Sequence, residues 1–124
     1  MRVAIRKKNL EITPALAEYI EKKILKPLKK LLKEVVMHDL PILDLEAERT
    51  TKHHLKGDIH RIEANLSLGK KFFRAEAEDQ DIYAACDLVE KELEREISAE
   101  KGRMRSTALR EERKLKNDLR GGGG

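Results

Sequence analysis

The chain has 124 residues and a mass of 14.3 kDa, which is enough for one small domain with a modest core. Charged residues make up 40% and aromatic residues 3%, so the surface is ionic and aliphatic side chains must build the core. A single cysteine, Cys86, excludes an internal disulfide. Neither a secretory leader nor an apolar run of membrane-spanning length occurs, and we therefore expect a cytoplasmic protein.

The charge is distributed unevenly along the chain. The net charge is +4, but residues 1–40 carry +5, residues 79–100 carry −6 and residues 101–120 carry +5. Two basic segments around an acidic one indicate that a polyanion would be contacted locally.

The first elements in chain order are a strand and a helix. Residues 2–8 alternate, with Val3 and Ile5 on one face, which predicts a strand. Thr13 and Pro14 are typical of an N-cap and a first helical residue. The apolar stripe of this helix is expected to contain Leu16, Ile20, Ile24, Leu31 and Val35.

Pro27 lies inside this helical pattern. Its ring removes a backbone donor and crowds the carbonyl of Lys23. We therefore expect a kink or break near residue 26 and a second helical piece that ends at about residue 34.

Three further strands follow a turn at residues 36–41. Residues 42–50, 60–69 and 72–78 alternate, and a polar loop lies at residues 51–58. The side chains expected to point inward are Leu43, Leu45, Ala47, Ile62, Ala64, Leu66, Leu68, Phe73, Ala75 and Ala77.

The last predicted element is a helix that Asp79 or Asp81 caps. Its core stripe is expected to contain Ile82, Cys86, Val89, Leu93 and Ile97, so Cys86 is interpreted as a small buried hydrophobe and not as a reactive thiol. The order β-α-β-β-β-α predicts an α+β fold with a four-stranded sheet and two helices packed on one face.

Lysines cluster on the first helix, opposite its apolar stripe. Lys22, Lys26, Lys29 and Lys33 fall within roughly 60° of one another on the helical wheel, and Tyr19, Lys23 and Lys30 lie beside them. One interpretation is a solvated face, which is what most such stripes are. The other is a ridge that binds nucleic-acid phosphates.

The last helix differs from the first in its exposed charge. Its cations Lys91 and Arg95 lie together on the side away from the core. The surrounding acidic residues are Glu90, Glu92, Glu94, Glu96 and Glu100. Taken alone, this pattern is typical of a solvated, salt-bridged surface.

No pattern in the chain indicates an enzyme. The four histidines, His38, His53, His54 and His60, match no closed set of metal ligands. No nucleophile elbow, phosphate loop or dinucleotide fingerprint occurs. We expect no catalysis, metal, cofactor or small-molecule substrate.

Two stretches of the sequence resemble the ribosome hibernation promoting factor family, whose members are also described as ribosome-associated inhibitor A or sigma-54 modulation proteins. They are "LEITPALAEYIEKKILK" and "HRIEANLSLGKKFFRAEAEDQDIYAACDLVEKELEREI". The most specific parts are the Thr-Pro-Ala helix start and residues 74–95. The resemblance implies a short form whose ribosome-binding α+β domain spans residues 1–101. The tail at 102–124 is basic and has few apolar residues, so we expect it to be flexible, or helical only in part.

The resemblance also implies a function. Such proteins bind the small ribosomal subunit near the decoding centre, where basic helix surfaces contact 16S rRNA and occupy the space of mRNA and tRNA. Idle ribosomes are thereby silenced under stress. Short members either promote or oppose ribosome dimerisation, and the tail after residue 101 favours the opposing type. By position, the family's basic sites on the first helix match Lys23, Lys26 and Lys29.

The last helix departs from the family pattern. Arg95 is kept, but Glu92 stands where a lysine is expected, and Ser98 and Ala99 occupy the next basic site. The RNA-binding residues predicted from ridge, resemblance and tail together are Lys22, Lys23, Lys26, Lys29, Lys33, Lys91, Arg95, Lys101, Arg103 and Arg105. An alternative function is a protein-interaction module on the same fold, whose acidic last helix binds a basic partner.

Overall fold

The structure, a computed structural model, describes residues 1–33, 40–51 and 57–122, with the side chains in these ranges except those of residues 104, 105, 107, 108 and 120–122. The predicted turn at 36–41 and polar loop at 51–58 fall mostly outside the described residues, as do Val35, His38, His53 and His54.

The first strand leads into a capped helix, as predicted. Strand β1 spans Arg2–Lys8, and Asn9 then adopts a positive φ of 59° that turns the chain away from the sheet. Helix α1 spans Pro14–Ile20. The hydroxyl oxygen of Thr13 accepts a 3.1 Å hydrogen bond from the backbone N–H of Leu16, so this threonine is the N-cap.

Pro27 does not break the helix, because a π-helical turn precedes it. The turn spans Glu21–Leu25, and the N–H of Lys26 donates to the carbonyl of Glu21, five residues back. Helix α2 then spans Lys26–Leu32. A wider turn before Pro27 relieves the clash that its ring would make in a regular α-helix. Near residue 26, where a kink or break was predicted, the chain instead has one extra residue in a helical turn. Residues 14–32 therefore form one continuous helical segment.

The extra residue changes which side chains of α2 face the core. Leu28 and Leu32 are buried at 5% and 4% exposure, whereas Leu31, which the regular wheel placed inward, is only half-buried. Both Ile24 and Leu25 are therefore buried, and the buried residue of the last turn is Leu32, one position after the Leu31 that a regular α-helix would bury.

The sheet has the order β1-β2-β3-β4 and is mixed. Strand β2 spans Ile42–Thr51 and runs parallel to β1, while β3 (Asp58–Leu68) and β4 (Lys71–Asp79) continue the sheet in antiparallel pairs. The parallel pair is joined through the helical segment, and the other strands by hairpins.

The alternating pattern identifies the core face of the sheet. In register, Leu45 lies beside Ala64 and Ala64 beside Ala75, and all three are buried. The other inward residues predicted on β2–β4 are buried as well, with Ala77 partly so. Ile5 shares the row of Leu45 but is 41% exposed, because it lies on an edge strand.

The last helix, α3, spans Ile82–Gly122. Its N-cap is Asp81, whose Oδ1 accepts from the N–H of Tyr83 at 2.9 Å, and Asp79 in turn accepts from the N–H of Asp81. The predicted stripe is buried from Cys86 to Ile97, with Ile82 packed at its margin. Burial raises the pKa of the Cys86 thiol to about 12, which fits a small core residue.

The helix passes through Gly102 and continues to Gly122, where the sequence predicted a flexible tail that is helical at most in part. This segment is rich in Arg, Lys, Leu and Glu, which are strong helix formers, and Gly102 costs only about 1 kcal/mol against that propensity. The functional boundary at residue 101 stays a prediction.

The helical segment and α3 pack on one face of the sheet, which confirms the predicted α+β fold. The other face is open and carries ion pairs. At its centre, the Arg61 guanidinium lies 2.6 Å from Glu76 and 2.5 Å from Glu63. The contact with Arg61 lowers the pKa of Glu76, and a hydrogen bond from Asn65, together with Arg61, lowers the pKa of Glu63. No helix in the described part of the chain is long and apolar enough to cross a membrane.

Candidate nucleic-acid interface

The predicted lysines of the first helical segment form one exposed surface. We define the lysine ridge as the six exposed lysines of residues 14–33, namely Lys22, Lys23, Lys26, Lys29, Lys30 and Lys33. The π turn changes the direction of the lysines that follow it by the same angle as that of the buried leucines. The ridge therefore still lies opposite the core. The structure therefore brings together all the predicted first-helix residues.

Most of the ridge has no neutralising carboxylate. Lys22 is the exception, since its Nζ lies 2.7 Å from Glu18 and lowers the pKa of that carboxyl. Over residues 1–33, 40–51 and 57–122, no described acid lies within ion-pair distance of Lys26, Lys29, Lys30 or Lys33. Exposed, unpaired ammonium groups at helical spacing are the arrangement that binds a chain of phosphates.

An aromatic junction fixes the start of the ridge against α3. The Tyr19 hydroxyl donates a 2.8 Å hydrogen bond to Oδ1 of Asp87, and that bond raises the pKa of Tyr19 to about 12. The rings of Tyr19 and Tyr83 meet edge to face with centroids 4.8 Å apart. The Nζ of Lys23 lies 6.0 Å from the Tyr19 ring centroid, within cation–π range.

The sequence pattern places Tyr19 beside the lysines but does not indicate this junction. The chain has just two tyrosines, Tyr19 and Tyr83, and both lie on the flanks of predicted core stripes. The position of both tyrosines on the flanks of core stripes was the one sign in the sequence of a contact between them. Only the fold shows that the two helices bring the tyrosines together.

The cations of α3 are arranged differently from the ridge. Arg95 is 75% exposed, but its Nη2 lies 2.6 and 2.7 Å from the two carboxylate oxygens of Glu92. Arg103 is held in the same way by Glu100, at 2.7 Å from Nη2. Lys91 is exposed and Lys101 half-buried, and the Arg105 side chain lies outside the described residues.

A groove of about 290 Å³ separates the two basic sets. Its floor is apolar and consists of Ile24, Pro27, Leu28, Leu31 and Leu93. Lys30 forms one rim, and Glu90 and Glu94 form the other. Burial and a hydrogen bond with Glu94 raise the pKa of Glu90. The cations of α3 therefore lie beyond an acidic rim and do not extend the lysine ridge directly.

The described residues offer no alternative metal chemistry. Among them, no three His, Cys, Asp or Glu side chains lie close enough together to hold a metal ion. The four histidines do not bear on this, because only His60 is described, and its Nδ1 is 2.8 Å from the carbonyl of Gln80.

A comparison with models of protein families identifies the family of this chain. The model of the family described as sigma 54 modulation protein / S30EA ribosomal protein matches residues 3–105. The chain belongs to this family. The membership predicted from the two sequence stretches is thus confirmed, and the match covers the sheet, the lysine ridge and the first half of α3.

Two solved structures are similar to this chain. The N-terminal domain of Protein Y from Thermus thermophilus is 28% identical with a TM-score of 0.60, and the match covers 78% of this chain and 96% of that domain. A ribosomal subunit interface protein from Coxiella burnetii is 25% identical with a TM-score of 0.61, and the match covers 82% of this chain and 99% of that protein.

Proposed function

We propose that this S30EA-family protein binds 16S rRNA of the small ribosomal subunit near the decoding centre and blocks the access of mRNA and tRNA. In this role it silences idle ribosomes under stress, acts without catalysis or a cofactor, and works in the cytoplasm. The observation that carries the proposal is the lysine ridge, a row of exposed and mostly unpaired ammonium groups in a ribosome-associated family.

The ridge supports binding through phosphates. Lysines one helical turn apart present their charges at a repeat of about 5.4 Å, so several phosphates of one RNA segment are reached at once. Each contact releases counterions, which makes the binding strong at low salt and independent of sequence. Specificity for one ribosomal site then comes from the shape of the rRNA around the protein.

The predicted contacts divide into two groups by their ion pairs. Lys26, Lys29 and Lys33 are available without rearrangement, and Lys22 and Lys23 need only small movements. Arg95 and Arg103 must share or leave Glu92 and Glu100 before they reach a phosphate. We therefore propose that the ridge supplies the main contact and that the predicted residues Lys91, Arg95, Lys101, Arg103 and Arg105 supply a weaker one.

The alternative function, a protein-interaction module on α3, has less support. It would use Glu90, Glu92 and Glu94 to bind a basic partner. Glu92 is occupied by Arg95, and Glu90 shares a hydrogen bond with Glu94. The test is to capture a partner from cell lysate with the wild type and with a variant in which these three charges are reversed. Capture of the same partner by the variant contradicts the module.

The experiment that tests the proposal is co-sedimentation with small ribosomal subunits in sucrose gradients. Lys23→Glu, Lys26→Glu and Lys29→Glu together are expected to abolish co-sedimentation at physiological salt, because they replace attraction by repulsion along the ridge. The matched control makes the same change in charge on β1 and in the β3–β4 turn, with Arg2→Glu, Lys8→Glu and Lys70→Glu. Unchanged association of the ridge variant contradicts the proposal.

A further inference from the structure

Strand β4 is an edge of the sheet. Among the described strands it pairs with β3 alone, in a register that runs without a bulge from His60 beside Asp79 to Leu68 beside Lys71. Its nine residues contain no proline. A long, regular edge strand presents unpaired backbone donors and acceptors to any strand that approaches it.

The opposite edge, β1, has helix-side charge of one sign only. Lys7 lies in register with the buried Ala47, so its exposed side chain is on the helix side of the sheet, where a charge prevents edge pairing. On β4 the helix-side positions are the apolar Phe73, Ala75 and Ala77, with the charged Lys71 and Asp79 at the two ends of the strand. The Nζ of Lys71 contacts Glu100 of α3. The centre of β4 therefore has no helix-side charge, and the charges at its two ends are opposite in sign.

The sequence of β4 is complementary to itself when it is reversed. It reads KFFRAEAED, with Lys71 and Arg74 in its first half and Glu76, Glu78 and Asp79 in its second. An antiparallel pair of β4 strands centred on Ala75 places Arg74 opposite Glu76 of the second copy, twice by symmetry. The same register places Lys71 opposite Asp79 and Phe73 opposite Ala77.

These cross-strand partners lie on an exposed surface that already forms ion pairs. Arg74 is 55% exposed and Glu76 39% exposed on the open face of the sheet. The Nη2 of Arg74 lies 3.3 Å from Glu63, and Arg61 lies 2.6 Å from Glu76. A second β4 strand would extend this network across the edge without burying an unpaired charge.

Exposed apolar side chains flank the edge on both sides of the sheet. Phe72, on the open face, is 62% exposed. Leu88 of α3 is 47% exposed, and helical spacing places it on the flank of Glu96 and Ala99, which lies over the start of β4. Both would lose solvent exposure beside a second copy of the chain.

We propose that this chain forms a twofold-symmetric dimer in which β4 pairs antiparallel with β4 of a second copy, in the register centred on Ala75. The two four-stranded sheets then form one continuous sheet with isologous contacts. The flank of α3 that carries Leu88 points away from Asp87 and Glu94, which face the helical segment, so the lysine ridge stays exposed. The proposal is independent of rRNA binding.

Sedimentation velocity of the full chain, without ribosomes, tests the dimer over about 5–500 µM at physiological salt. The wild type is expected to shift from monomer to dimer as the concentration rises. Arg74→Glu places like charges opposite each other twice, and we expect at least about tenfold weaker association. Lys70→Glu makes the same change in charge in the adjacent turn and is expected to keep the dimer. Circular dichroism confirms that each variant is folded.

The register is tested by mixing two variants. Arg74→Glu puts glutamates at 74 and 76, and Glu76→Arg puts arginines there, so each variant alone repels its own copy. In a mixture every pair is again opposite in charge, and a heterodimer is expected. The double variant Arg74→Glu/Glu76→Arg is expected to dimerise by itself. A monomeric wild type at 500 µM, or a dimer that ignores these charges, overturns the proposal.

Discussion

The Tyr19 hydroxyl donates a 2.8 Å hydrogen bond to Asp87, which lies 68 residues further along the chain. This bond joins the helical segment that carries the lysine ridge to α3, and the edge-to-face contact of Tyr19 with Tyr83 supports the same junction. The buried face of the helical segment and this junction together hold the ridge in one orientation on the body of the protein.

The ionisation of Tyr19 tests this junction. In a Tyr83→Phe background, where Tyr19 is the single tyrosine, phenolate absorbance is expected to titrate with a pKa of about 12. Asp87→Asn is expected to bring the pKa back toward 10, because the acceptor then carries no charge. The folded-state pKa is raised, so the bond stabilises the protein fully below pH 10 and is lost as the pH rises toward 12. Titration at pH 10 with Asp87 intact contradicts the hydrogen bond.

The π turn before Pro27 is tested by two neighbouring leucines. Leu32→Ala is expected to lower the free energy of unfolding by about 2–5 kcal/mol, because it leaves a cavity in the core. Leu31→Ala serves as the matched control and is expected to cost about 1 kcal/mol, since this side chain is already half-exposed in the groove. Urea unfolding measures both. A larger loss of unfolding free energy for Leu31→Ala than for Leu32→Ala would indicate a regular α-helix in place of the π turn.

The salt dependence of ribosome binding reports the number of lysines that contact phosphate. If all six ridge lysines participate, the plot of log affinity against log salt for isolated small subunits is expected to have a slope of about −4. Lys26→Gln, Lys29→Gln and Lys33→Gln together are expected to reduce the magnitude of that slope by about 2. An unchanged slope in this variant would mean that other cations bind the RNA.

The α3 surface is expected to gain affinity when its acid is replaced. Glu92→Lys releases Arg95 from its ion pair and adds a cation beside it, so we expect about 3–10-fold tighter binding to small subunits. Asp44→Lys, which makes the same change in charge on the open face of the sheet, is the control. Equal effects of the two substitutions would show that net charge alone matters and that α3 makes no local contact.

Local patterns predicted much of this fold. The alternation in β2–β4 identified the inward residues because each strand has one buried face, and Thr13 identified the helix start because capping is a local interaction. The π turn was not predictable, since the core decides how the chain accommodates Pro27. The Tyr19–Asp87 bond depends on how two helices pack, which residue spacing does not determine. The ion pair of Arg95 with Glu92, three residues away on the same helix, agrees with the salt-bridged surface that the spacing indicated.

Tethered cleavage of rRNA tests the central claim most directly. The one native cysteine, Cys86, is fully buried, so a cysteine introduced at Lys30 on the ridge can be labelled selectively with an iron chelate that generates hydroxyl radicals. Bound to small subunits, this protein is expected to cleave 16S rRNA around the decoding centre, while a label at Lys70 in the β3–β4 turn is expected to give weaker or different cuts. Cleavage confined to other regions of the subunit, or none above the unlabelled protein, would contradict the account.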